Sequence, residues 1–113
     1  MSISQLEFLR HILDECDFIN SVVNGKKSHE VIDNPITSRA IVRSLEIIGE
    51  ASKKVDAKFK AQYPQVEWKK MAGMRDRLIH DYIGVDYILV WDVVTKDIPL
   101  LTVEIKAILA GNW

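Results

Sequence analysis

The chain has 113 residues, 48% apolar and 27% charged, the make-up of an ordinary globular protein with room for one domain over residues 1–113 and no separate regulatory module. Its 15 Lys and Arg against 16 Asp and Glu leave a net charge of -1, which excludes a protein that holds nucleic acid by bulk positive charge; any such ligand has to be gripped locally. A lone cysteine, Cys16, excludes an internal disulfide, no run approaches the roughly 18 apolar residues of a membrane span, and the start Met-Ser-Ile-Ser lacks a basic leader, so a cytoplasmic protein without membrane contact is expected.

Ile3, Leu6, Leu9, Leu13, Cys16, Ile19 and Val23 recur at steps of three and four, the stripe of a first helix started by Ser2 or Ser4. Phe8, Ile12 and Phe18 widen that stripe, so the helix meets more than one neighbour. Asn24-Gly25 ends it, and the polar stretch Lys26 to Asp33 reads as a loop. Asn34-Pro35 opens a second helix, because asparagine caps well and proline's missing N–H has no partner to lose in a first turn. That helix runs to about Val55 with Ile41, Leu45, Ile48 and Val55 inward and Arg39, Arg43, Glu46, Glu50 and Lys53 on another face. Glu46 and Glu50, four apart, read as a solvated face in which Glu50 pairs with Lys54.

A short helix follows from Asp56 to Gln62, closed by Tyr63-Pro64. A fourth main helix starts near Val66 or Glu67, carries Trp68, Met71 and Leu78, and turns at Gly84. Asp86 caps the last helix, where Tyr87, Trp91, Val94, Ile98, Leu101, Ile105 and Ile108 keep phase straight through Pro99. One long helix kinked near Pro99 is expected, with the carbonyl near Thr95 losing its partner. No alternating strand pattern and no repeat is present. The fold class is therefore all-α, an antiparallel bundle of four main helices plus a short one.

The run Arg75-Asp76-Arg77-Leu78-Ile79-His80-Asp81-Tyr82 carries the chemistry. As a pattern it is R-x4-H-x-Y. Histidine gains and loses a proton near neutral pH, and arginine forks onto a phosphate without losing its charge. A proton carrier and a charge clamp are what phosphodiester cleavage without a metal needs. An intact helix, at about 100° per residue, would place Arg75 and Tyr82 on nearly one face and His80 roughly 140° from Arg75. Asp76, four residues before His80, would be its same-face neighbour, suited to a supporting role. Either the helix unwinds near His80 or a second protomer completes the site. By itself an Arg-x4-His near a helix C-terminus is also what the helix dipole favours, and a tyrosine ending an apolar stripe is often a core residue with a wet hydroxyl.

Other candidates are weaker. His11 and His29 have no ligand-spaced partners, so neither a metal site nor a cofactor is expected. Cys16 has no neighbour placed to activate it, and there is no glycine-rich phosphate loop.

The R-x4-H-x-Y run resembles the signature of the HEPN superfamily, and more narrowly of the HepT-like ribonuclease toxins. The likeness extends over roughly residues 34–109. It includes Leu45-Glu46-Ile47-Ile48-Gly49-Glu50-Ala51 in the second helix, Pro64 and Trp68 before the motif, and Val85-Asp86, Trp91 and Ile98-Pro99-Leu100 after it. The resemblance implies a metal-independent RNA endonuclease of a type VII-like toxin–antitoxin module, with Arg75 and His80 catalytic at a homodimer interface. It further implies a cognate nucleotidyltransferase antitoxin that adenylylates Tyr82. The contrasting expectation, from relatives that have lost catalysis, is a helical protein of the same superfamily that binds a nucleotide or partner without cutting.

Overall fold

The computed structural model describes residues 4–80 and 84–111. Helix α1, Gln5–Val23, is capped by Ser4, whose hydroxyl accepts the Glu7 N–H at 3.3 Å; Ser2 and Ile3 lie outside the described residues. Leu9, Ile12, Cys16 and Ile19 are fully buried, so the inward stripe runs through Ile12, while Leu6 and Phe18 stay exposed at 38% and 42%.

The expected loop after α1 holds a short helix, α2, Ser28–Ile32. The Glu30 carboxylate reaches back to the Lys27 N–H at 2.8 Å, and Val31 is fully buried. A reaching carboxylate and one inserted apolar side chain stabilise a single turn that no periodicity could announce. The Thr37 hydroxyl donates to the Val31 carbonyl at 2.6 Å and ties α2 to the next helix.

Helix α3, Pro35–Lys54, begins as the sequence predicts: Asn34 accepts the Ile36 N–H at 2.9 Å and Pro35 takes the first position. Ile41, Leu45 and Ile48 are buried, joined on a second side by the small residues Ser44, Gly49 and Ser52. Helix α4, Ala57–Gln62, is capped by Asp56, which accepts the Phe59 N–H at 2.7 Å. The Asp56 N–H in turn donates to Gln5 of α1 at 2.8 Å. Past Pro64, the Trp68 indole N–H donates to the Tyr63 carbonyl at 2.9 Å and pins the turn.

The fourth helix is not one rod. It divides at Gly73 into α5, Trp68–Ala72, and α6, Met74–Leu78, and the chain then becomes extended. Strands β1, Ile79–His80, and β2, Gly84–Val85, pair antiparallel with Ile79 opposite Val85 and His80 opposite Gly84. Gly84 has φ +92°, a backbone region costly for a residue with a Cβ. The Asp86 N–H closes the return on the Leu78 carbonyl at 2.8 Å. Two residues per strand are too few to show an alternating pattern, which is why none is visible in the sequence.

The last helical stretch is continuous. Asp86 caps α7, Tyr87–Asp92, accepting the Leu89 N–H at 3.1 Å. Val93–Asp97 follows in π-helical form and α8 covers Ile98–Leu109. Pro99 has no N–H for the Thr95 carbonyl, and the irregularity falls in the turn before it, where the Ile98 N–H bonds back to Val93. The expected stripe is buried from Val94 on: Val94, Ile98, Leu101, Ile105 and Ile108 are all buried, with Val90 and Val93 beside them, while Tyr87 and Trp91 at its start are only partly buried. Buried side chains of α1, α3, α5, α6, α7 and α8 form one apolar cluster. Across α1 and α8 the Asn20 amide donates to Thr102 at 2.9 Å. No helix among the described residues is long and apolar enough to cross a membrane.

Candidate active site

The motif begins on the outer side of α6. Met74 and Leu78 point into the core and are 2% exposed, which turns Arg75 and Asp76 outward. The helix ends at Leu78, with Ile79 already extended at φ -119° and ψ 121°. His80 therefore lies on β1, outside the helix, and the 140° offset that an unbroken helix would impose on Arg75 and His80 does not arise. Its ring is exposed and makes no hydrogen bond or ion pair among the described residues. Tyr82 lies outside the described residues.

Arg75 is half exposed and sits between two carboxylates. Its Nε is 3.7 Å from Glu46 Oε2 of α3, and its Nη1 is 3.8 Å from Asp76 Oδ1. Asp76 thus stands beside Arg75, with no hydrogen bond to His80. Both separations exceed hydrogen-bond length, so they are charge contacts, and Nη2, which has no ion pair among the described residues, can turn to an incoming anion. The Arg75 stem closes a crevice with Val42, Leu45, Glu46, Leu78 and Ile79 of only about 10 Å³, room for at most one water. A substrate phosphate would meet Arg75 at the surface. The hollow of about 80 Å³ between α5, α6 and the start of α8 is lined by Met71, Met74, Ile98 and Leu101 under Glu67, Asp97 and Glu104, and does not include Arg75 or His80.

Two further residues frame the segment. Gly49 of α3 lets the backbone of α5 come close: a Cβ there would stand 3.2 Å from the Met71 carbonyl oxygen. Arg77, partly buried, carries a buried Nη1 with no hydrogen-bond acceptor among the described residues. Glu46 is the residue that periodicity undervalued. It looks like a member of a solvated acidic face, yet its side chain is only 26% exposed and its carboxylate faces Arg75, while no ion pair joins Glu50 to Lys54. The tertiary approach of α6 to α3 decides this, and no spacing within α3 reports it.

Elsewhere, burial pushes the Cys16 thiol up to about 12, with a Thr102 hydrogen bond acting the other way, so it stays protonated and unreactive. No group of three His, Cys, Asp or Glu side chains among the described residues is gathered as metal ligands.

Comparison with known proteins finds relatives over most of the chain. The family described as "Ribonuclease HepT-like" matches residues 12–108, a span that contains Arg75, His80 and Tyr82. A protein named "Putative RNase" from Caldanaerobacter subterraneus subsp. tengcongensis is 46% identical over 102 residues, 90% of this chain and 91% of its own. A "Putative RNase" from Methanocaldococcus jannaschii is 39% identical over 101 residues, 89% of this chain and 93% of its own. A "Probable ribonuclease HepT" from Thermococcus cleftensis is 39% identical over 101 residues, 89% and 92% of the two chains. No solved structure matches the chain.

Proposed function

The chain belongs to the HepT-like ribonuclease family, and from that premise we propose that it is a metal-independent RNA endonuclease whose catalytic residues are Arg75 and His80. One observation carries this reading: the helix ends before His80, so a permanent cation and a titratable imidazole stand exposed on one short, outward-turned segment. His80 takes the proton of a ribose 2′-hydroxyl, the 2′-oxygen attacks the adjacent phosphorus, and the bond from phosphorus to the 5′-oxygen breaks. Arg75 forks onto the non-bridging oxygens and stabilises the added charge. The leaving 5′-oxygen needs a proton, which the histidine of a second copy can supply in a homodimer. Asp76, beside Arg75, moderates its charge in the resting site.

The same reading makes the protein a cytoplasmic toxin of a type VII-like toxin–antitoxin pair. Its antitoxin is a nucleotidyltransferase that adenylylates Tyr82, two residues past His80. Bulk and negative charge added there repel RNA phosphate. A homodimer is supported by large apolar side chains left in water, Ile36 and Ile88 at 80% and 88% exposure.

The test is cleavage of RNA by the purified protein in EDTA. Parent protein cuts; His80→Ala and Arg75→Ala do not, and both relieve growth inhibition. Cutting that EDTA abolishes and magnesium restores would overturn the metal-free mechanism. A protein that binds RNA or nucleotide but never cuts it would favour the non-catalytic alternative. Light scattering at tens of micromolar should give a dimer, and coexpression with the nucleotidyltransferase should add adenylyl mass that Tyr82→Phe loses.

A further inference from the structure

Arg75 stands on a helix too short to fix its own position. α6 has five residues, well under the roughly 12–15 at which an isolated helix begins to hold, and the chain beyond it is extended. What orients the guanidinium must come from another element. Asp76 cannot serve, because it sits on α6 itself, moves with Arg75 and is 83% exposed. Glu46 can. It projects from the middle of the 20-residue helix α3, with Leu45 and Ile48 on either side of it buried at 2% and 0% exposure. Its carboxylate is the better shielded of the two that face Arg75.

Resting on Arg75 as the phosphate clamp, we propose that Glu46 is a positioning residue that draws the Nε side of Arg75 toward α3 by charge and leaves the Nη2 end, which no carboxylate faces among the described residues, to the phosphate. The contact is at Nε, 3.7 Å from Oε2, and Arg75 shares a crevice of only about 10 Å³ with Val42, Leu45, Leu78 and Ile79. A half-exposed ion pair at this length contributes little stability. Its effect is on orientation, and a clamp displaced by an ångström loses rate far more readily than fold.

The charge of Glu46 gives the role a signature. A carboxylate beside Arg75 repels an arriving phosphate, so removing it should ease binding while it loosens the clamp. Glu46→Gln should lower kcat about tenfold with KM unchanged or lower, and Glu46→Asp should restore part of kcat. In an Arg75→Lys background, where no Nε edge exists, Glu46→Gln should cost nothing further. Additive losses, or a fall in kcat that only tracks a fall in Tm, would overturn the proposal. A second readout needs no activity: the side-chain Nε–H signal of Arg75 in nitrogen relaxation NMR. In the parent it should be ordered, and in Glu46→Gln it should become as mobile as exposed arginines such as Arg10 and Arg39. An Arg75 signal that Glu46→Gln leaves unchanged overturns the clamp whatever the enzyme does. A signal set loose in a protein whose parent cuts no RNA supports the clamp and removes the ribonuclease reading instead.

Discussion

Helix α3 and the motif segment Trp68 to His80, whose helices α5 and α6 pack on it, are built on opposite terms. α3 is 20 residues long, capped at its start, and sends buried side chains into the core along its length. The motif segment breaks at Gly73 and again after Leu78, holds no helix longer than five residues among the described residues, and turns Arg75, Asp76 and His80 to solvent. Such division of labour is physical: a continuous helix fixes side-chain directions 100° apart, whereas a broken one can aim neighbours independently. The rod supplies rigidity, and the broken segment supplies geometry that no regular element offers.

Substitutions can break that comparison. The largest expected effect is on cleavage: Arg75→Ala and His80→Ala should each lose about 100-fold or more. Both side chains are exposed, so Tm should move by no more than about 2 °C. If either variant melts like a core substitution, the segment is structural and the contrast fails. Ile48→Ala in α3 should do the reverse. Ile48 is fully buried, so its truncation should cost about 3 kcal/mol, roughly 10 °C in Tm, while the fraction that remains folded cuts RNA at near the parent rate. A kcat loss as deep as that of His80→Ala would mean that the rod does more than support.

The rod was readable in the sequence and the broken segment only half so, for the same reason. Periodicity reports burial, and α3 and the Val94 to Ile108 stripe bury one face for many turns. The caps Asn34, Asp56 and Asp86 act within three residues, so they too are legible. The break after Leu78 depends on chain pairing with Gly84–Val85, and α2 on the single buried Val31; neither leaves a period. At the site, the residue types were legible because their chemistry is intrinsic. That Glu46 faces Arg75 was not, since it depends on how α6 lies against α3.

Gly49→Ala sharpens the comparison at the joint between the two regions. Alanine favours a helix interior by up to about 1 kcal/mol over glycine, but its Cβ would stand 3.2 Å from the Met71 carbonyl. Tm should shift by only a few degrees, roughly, while kcat falls severalfold as α5 is displaced and carries α6 with it. Unchanged kinetics would show that the joint does not position the motif.

The smallest effect belongs to Glu104 on α8, which lines the hollow beside Met71 and Met74 and not the Arg75 crevice. Its carboxyl is raised above the ordinary range, chiefly by desolvation and then by the charge of Glu67. A raised acid favours the fold when neutral, so its contribution is full below the unfolded pKa and is lost as pH rises through the folded one. Glu104→Gln should therefore raise Tm at pH 7, by about 1 °C for so exposed a group. The gain should vanish in acid below the ordinary glutamate range, with cleavage unaffected at either pH. A gain that persists in acid would refute the assigned cause.

The central claim, that Arg75 and His80 drive attack of a ribose 2′-oxygen, is tested most directly by the ends of the cut RNA. Parent protein in EDTA should leave a 2′,3′-cyclic phosphate and a 5′-hydroxyl. A substrate with a single 2′-deoxy sugar at the cut site should stay whole there, and His80→Ala should give neither product. Ends bearing a 5′-phosphate, or cleavage of the deoxy-substituted site at the parent rate, would contradict it.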